Sequence, residues 1–506
     1  MTSLAAPVAS SDVDAAAPPR DEALASSGAA PEVVKDRHDA LVRKIALVPP
    51  MLVLLVTFAA WVAAVGRAGF WADDYVNLAL YNQTLGDLSN VQRNDGKYTI
   101  NVFWWWGTVM FGTGNPVPFV LTVSAVTVMG VWLWLRAGSQ FAWGRVQAWW
   151  IAAGVAATVT PFGILLWASN IVHSVSILCL GLGLFAHVKA QEQEVSRSAV
   201  AWSALGACAW LIVIISNPLY MGFAILAGYL VLMQGRGWMA RVAWPPSKIR
   251  FATGLGLLGH VGIPVLYFAL VAYPMTTRRS SYSVFGFGEI RANAAFYTER
   301  LAPDNLTLVA YVLVVAAAVV ASVARVRSNR LPLVLLATAA ATALPVFMQG
   351  QQRADHYLMV PILLTLSALA AAVGRLPVRQ GTRARRSVLV GSVAVGSVIL
   401  AMMVGGSSAT RSWWVTTPLG SALTQARQEI ADRTPTGADL CVELAMDSSL
   451  QPGFVAAMGG QAGMKFDPIG AASAEYVGVG ECDRATRTVV TITHDGNAYD
   501  AVVEGR

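Results

Sequence analysis

Apolar stretches of about 20 residues recur along most of the chain, and a helix of that length crosses the hydrocarbon core of a bilayer. The first runs over 45–65. The others run over 116–135, 147–166, 171–188, 199–216, 218–234, 251–273, 306–324, 331–349, 357–374 and 387–406. The pattern predicts a mainly α, polytopic transmembrane helical protein of about eleven spans. Residues 98–111 are apolar but short, and the run Trp104-Trp105-Trp106 suits the aromatic belt at a membrane interface. We expect a half-inserted helix or short span there, ended by Asn115-Pro116.

The intervening loops differ in charge. One set carries Arg136 and Arg145; Lys189 and Arg197; Arg236, Arg241, Lys248 and Arg250; Arg325, Arg327 and Arg330; and Arg375, Arg379, Arg383, Arg385 and Arg386. The short loops between, around Ser169-Asn170 and Ser216-Asn217-Pro218, carry no Lys or Arg. Cations collect on cytoplasmic loops, so the basic set is expected inside. Lys35, Arg37, Arg43 and Lys44 keep the N-terminus on that side too. Residues 1–34 read as a disordered cytoplasmic tail, too polar for a signal peptide.

This topology yields a transmembrane domain over 35–406 with its first outer loop at 67–115. Residues 407–506 then form an extracytoplasmic domain. There charges return and strand-like pieces appear at 440–444 and 488–492, as in a small α/β or α+β unit. Cys441 and Cys482 both lie in it, on the oxidising side, and suit a disulfide. Cys179 and Cys208 fall inside apolar runs and read as packing residues. No zinc-binding spacing occurs.

Composition agrees with the pattern. Of 506 residues 55% are hydrophobic and 13% charged, against about 25% charged in soluble proteins. The net charge of +7 reflects cytoplasmic loops rather than nucleic-acid binding.

Chemistry concentrates just after the first span. Trp71-Ala72-Asp73-Asp74-Tyr75 places two carboxylates side by side at the outer face, and Asn94-Asp95-Gly96-Lys97-Tyr98 follows. Adjacent like charges cost free energy unless a cation, a proton or a substrate hydroxyl engages them. The plain alternative is that Asp74 caps a surface helix and Asp73 pairs with Arg67 or Lys97. Asp95 reads equally as part of a turn. Tyr75, Leu78, Leu85 and Leu88 lie near one face of such a surface helix.

Two further outer loops carry charge: 273–305, with Arg278, Arg279, Glu289, Arg291, Glu299 and Arg300, and 349–357, with Arg353, Asp355 and His356. Cations outside run against the topology bias, and Arg presents a planar fork of donors suited to a lipid phosphate. An Arg353–Asp355 ion pair is the alternative. His173 is expected to be hydrogen-bonded among helices, and His260 to be structural.

The Asp-Asp pair after the first helix, the surface helix, Gly96-Lys97-Tyr98 leading into an aromatic helix and the Asn115-Pro116 break resemble the GT-C glycosyltransferases. The resemblance covers the first 135 residues best; Lys97 stands where the family pattern, as we read it, carries Arg. It implies an inverting membrane glycosyltransferase using a polyprenyl-phosphate sugar donor and a cell-envelope glycan or lipid acceptor at the outer face of a bacterial inner membrane. Asp73 or Asp74 is then the general base. Asp95, Lys97, Tyr98, Arg278, Arg279, Arg353, Asp355 and His356 are candidates for binding substrate. A divalent cation, Mg or Mn, fits beside the carboxylates. The rivals are a transporter or flippase, which usually shows internal repeats and charged residues within spans, and a non-catalytic scaffold. No repeat stands out, and the acidic residues lie almost wholly in loops and the tail.

Overall fold

The structure, a computed structural model, describes residues 98–112, 117–157, 168–193, 197–241, 245–274, 287–302, 304–348, 355–374, 391, 394–399, 401–402, 439–445, 473–494 and 499–504. Within them eight helices are long and apolar enough to cross a membrane: Val117–Phe141, Ala168–Glu192, Arg197–Ser216, Pro218–Met239, Pro246–Ala272, Asn305–Arg325, Leu331–Met348 and His356–Gly374. Each coincides with a predicted span. The other three predicted spans, 45–65, 147–166 and 387–406, fall wholly or partly outside the described residues. The protein is a mainly helical polytopic membrane protein with a small C-terminal sheet.

In chain order the helices are α1 (Tyr98–Phe111), α2 (Val117–Phe141), α3 (Arg145–Ala157), α4 (Ile171–Glu192), α5 (Arg197–Ser216) and α6 (Phe223–Arg241). There follow α7 (Pro246–Ala272, with wide turns at Leu258–Gly262 and Phe268–Ala272), α8 (Phe287–Leu301), α9 (Asn305–Arg325), α10 (Leu331–Met348) and α11 (Met359–Gly374). The wide turns of α7 flank Pro264, which has no N–H to donate to the ladder.

Burial along α9 shows how these helices sit. Thr307, Ala310, Val314, Ala318 and Ser322 form its buried stripe, at spacings of three and four, while Val309, Val312, Leu313, Val319, Val320 and Val323 face outward. A 21-residue helix is about 31 Å long, enough for a hydrocarbon core of about 30 Å. The outward valines and leucines then meet lipid, which is as apolar as they are, so the narrow inner stripe specifies packing. Helices α4 and α11 are buried along most of their length and form the centre.

Small residues let the central helices approach. A side chain on Gly130 of α2 would meet the Leu178 backbone nitrogen at 2.5 Å, and one on Gly181 of α4 would meet the Gly130 carbonyl. Beside this crossing Thr127 Oγ1 donates to Ser174 Oγ at 2.7 Å. Trp134 Nε1 donates to Ser367 Oγ of α11 at 2.8 Å. Both ties are buried, where a polar group must find a partner.

Helix α1 has 14 residues, about 21 Å at 1.5 Å each, short of a full crossing. Its Trp run does not behave as a uniform interfacial anchor. Trp104 is fully buried and stacks on Phe119 with centroids 4.9 Å apart, whereas Trp106 stays exposed. The i,i+4 geometry of the helix turns one Trp inward and its neighbours away. Cys179 is buried as expected, but Cys208 is exposed on α5 rather than packed.

The C-terminal strands are β1 (Asp439–Ala445), β2 (Ser473–Val477), β3 (Thr488–His494) and β4 (Tyr499–Glu504), in spatial order β2-β1-β3-β4. β1 runs parallel to β2 and β3, and β3 pairs antiparallel with β4. β1 is buried at five consecutive positions, the pattern of a central strand covered on both faces. Cys441 is disulfide-bonded to Cys482, Cα to Cα 5.7 Å. Glu443, also on β1, is fully buried; it accepts from the Cys482 backbone N–H at 3.3 Å and pairs with Arg484 at 3.1 Å. The buried carboxylate and the disulfide thus hold the same turn ahead of β3.

Candidate active site

Three turns meet at one end of the helical bundle. The first is the 3₁₀ turn Ala168–Asn170 ahead of α4; the second is Pro218–Gly222, between α5 and α6; the third is Asp355–Leu358, ahead of α11. The first two are the loops that carry no Lys or Arg, and the third closes the loop holding Arg353. Gly222 brings the second turn hard against α10: a side chain there would meet the Ala341 carbonyl carbon and the Thr342 nitrogen at 2.7 Å.

Polar side chains from all three turns form one cluster around His173, in the first turn of α4, and His356. Asn170, His173, Asn217, Tyr220 and His356 are all buried. His173 Nδ1 lies 2.7 Å from Tyr220 Oη and 3.3 Å from Asn217 Nδ2. Its ring centroid is 4.7 Å from that of His356 and 5.2 Å from that of Tyr357. Asn170 Nδ2 donates to His356 Nδ1 at 3.4 Å. Asn217 also caps its own turn, Oδ1 accepting from the Leu219 N–H at 3.2 Å.

Helix α8 braces the third turn. Asn293 Nδ2 donates to the Phe347 carbonyl at 2.7 Å, and Tyr297 packs with Val346, Tyr357 and Leu358. The Phe347 carbonyl belongs to the last turn of α10, where carbonyls have no partner within the helix, so Asn293 supplies one.

The residues expected from the sequence to bind substrate are distributed unevenly. His356 is in the cluster, buried among His173, Tyr357 and Asn170. Tyr98 opens α1 and Asp355 opens the third turn. Asp73, Asp74, Asp95, Lys97, Arg278, Arg279 and Arg353 lie outside the described residues. His173 is hydrogen-bonded between helices as expected, and His260 donates from Nδ1 to the Gly256 carbonyl within α7 at 2.9 Å. Sequence reasoning did not single out Asn170, Asn217 and Tyr220 as site residues. The signal available was an uncharged polar residue at the same end of successive spans.

Among the described residues no group of three or more His, Cys, Asp and Glu could hold a metal ion. The carboxylates beside which a cation was expected lie outside them.

No protein-family profile and no curated protein matches the chain. Among solved structures it is similar to ArnT from Cupriavidus metallidurans bound to undecaprenyl phosphate, with 14% identity and a TM-score of 0.42 over 88% of this chain and 92% of that one. The same protein in the apo state gives 15% and 0.41 over 77% and 81%. Arabinofuranosyltransferase AftD from mycobacteria gives 14% and 0.42, over 77% of this chain and 29% of that one. The functional reading therefore rests on this chain's own residues.

Proposed function

We propose that the protein transfers a sugar from a polyprenyl-phosphate donor to a cell-envelope glycan or lipid acceptor at the outer face of the membrane. The observation that carries this reading is the convergence of the three turns on one buried polar cluster. By the charge pattern that cluster lies on the face to which the first helix delivers Asp73 and Asp74. The disulfide between Cys441 and Cys482 supports an oxidising compartment for the C-terminal domain, on that same side.

The chemistry follows from the groups available. Asp73 or Asp74 takes the proton of the acceptor hydroxyl as its oxygen attacks the anomeric carbon. The bond from that carbon to the phosphate oxygen breaks, and the lipid phosphate leaves with the electron pair. A single displacement inverts the anomeric centre. Arg278, Arg279, Arg353 and Lys97 would offset the charge gathering on the phosphate, while Asp95, Tyr98, Asp355 and His356 would orient the substrates. The carboxylate that is not the base would orient the acceptor or hold Mg or Mn. Transfer assayed with EDTA and with each metal restored decides the part of that ion.

The test is transfer in vitro from a panel of polyprenyl-phosphate sugars by the purified protein and its Asp73→Asn and Asp74→Asn variants. The reading requires that at least one folded variant lose transfer. Full activity in both would remove the Asp base.

A further inference from the structure

His173 carries two contacts on a single nitrogen, and their donors can be assigned. Asn217 Oδ1 accepts the Leu219 N–H at 3.2 Å. The amide is therefore turned so that Nδ2, which only donates, faces His173 Nδ1 at 3.3 Å. A donor facing Nδ1 is met best by a lone pair there, which Tyr220 Oη, 2.7 Å away, takes in the shorter of the two contacts. The ring proton is left on Nε2, and the ring is pinned from two points on the second turn. Its faces and edges meet the third turn: the His356 centroid at 4.7 Å and the Tyr357 centroid at 5.2 Å. His173 sits on the helix that follows the first turn. One imidazole thus joins all three.

We propose that Asn217 and Tyr220 form a tautomer lock that holds His173 neutral with its proton on Nε2, and that His173 so locked positions His356 for sugar transfer. His173 is a positioning residue, acting through His356. The role of His356 in transfer rests on the function proposed above; the lock itself does not.

One variant isolates the lock. Asn217→Asp keeps an oxygen to cap the Leu219 N–H but offers His173 an acceptor where a donor stood. The proton is then drawn to Nδ1 while the turn keeps its cap. Nitrogen-15 spectra of histidine-labelled protein in detergent, with His173 assigned by its loss in His173→Gln, read the tautomer whether or not the protein is active. The lock predicts an Nε2–H imidazole with a hydrogen-bonded Nδ1 in the unaltered protein, and an Nδ1–H or doubly protonated ring in Asn217→Asp. An Nδ1–H ring in the unaltered protein overturns the proposal.

Transfer kinetics read the second half. His173→Ala and His356→Ala are each expected to lower kcat/KM about 100-fold, the usual scale for a misplaced reacting group. The double variant should fall no more than about threefold below the weaker single one, because both act through one route. Asn217→Asp should match His173→Ala, while Tyr220→Phe, which leaves Asn217 on Nδ1, should lose less than about fivefold. Losses that multiply in the double variant, with circular dichroism and melting temperature unchanged, overturn the coupling. If no donor supports transfer at all, the proposed function fails. The coupling through sugar transfer falls with it, and the spectra alone then decide the lock.

Discussion

At the residue scale, polar side chains at helix ends supply the hydrogen-bond partners that the first and last turns lack. Asp304 shows it in simple form: its carboxylate accepts from the Thr307 backbone N–H at 2.8 Å and from the Thr307 hydroxyl at 2.9 Å, capping α9. These bonds, the backbone one first, hold its carboxyl below the ordinary value. A carboxyl lowered on folding contributes stability that is present above its unfolded value and lost as pH falls through its folded one. Asp304→Ala should lower the melting temperature in detergent at neutral pH, and the gap between the two proteins should close as pH falls below about 4. A gap unchanged to pH 3 would contradict the capping account. His356 belongs to the same scale and was harder to read. Its place beside Asp355 suggested phosphate or acceptor binding; its hydrogen-bond partner Asn170 lies 186 positions away. No local pattern connects them.

At the element scale, the spans were the most legible feature, because their length is set by the bilayer and their apolar faces by lipid. All eight long apolar helices fall where hydropathy placed them. The strands at 440–444 and 488–492 were legible for a similar reason, as runs of β-branched and apolar residues. β2 and β4 were not predicted. Each pairs at only one side of the sheet, and an edge strand shows less hydrophobic pattern than a central one. Close helix crossings were also hidden, since a glycine in an apolar run does not say which helix it faces. Gly181→Leu should therefore overpack α4 against α2 by about 1–3 kcal/mol and deplete folded protein in the membrane. Gly254→Ala on α7, where a Cβ meets nothing within 4 Å, should be tolerated. Equal loss of folded protein from both would argue against the crossing.

The sheet gives a separate prediction at this scale. The disulfide closes a sequence separation of 41 residues, which the chain-entropy relation converts to about 4 kcal/mol. Cys441→Ser should make the C-terminal domain protease-sensitive, and the unaltered protein should change mobility on reduction. Unchanged mobility would exclude the bond. Glu443 makes the loss asymmetric: Glu443→Gln leaves the cysteines in place but breaks the charged pair with Arg484, so it should destabilise the domain without altering the reductant-dependent shift.

At the scale of the whole molecule, the charge alternation supplies the frame. Loops at 136–145, 189–197, 236–250 and 325–330 carry the cations, and the turns at 168–170 and 218–222 carry none. The structure adds that the cation-free turns touch one another through His173 and are joined by the turn that follows Arg353. The convergence was not legible, because the pairing of distant turns is decided by which helices pack, not by the pattern within any one of them. A membrane-impermeant thiol reagent applied to intact cells should leave Ser196→Cys, in the loop between α4 and α5, unlabelled until the cells are opened. Labelling from outside would invert the topology and move the cluster away from the face of Asp73 and Asp74.

The most direct measurement is transfer from purified polyprenyl-phosphate sugars to short envelope-glycan acceptors, with the unaltered protein beside Asp73→Ala and Asp74→Ala. We predict product from one donor class, inverted at the anomeric carbon, and its loss in at least one of the two variants. Folded, correctly inserted protein that transfers no sugar from any donor would contradict the account and favour a transporter or a scaffold.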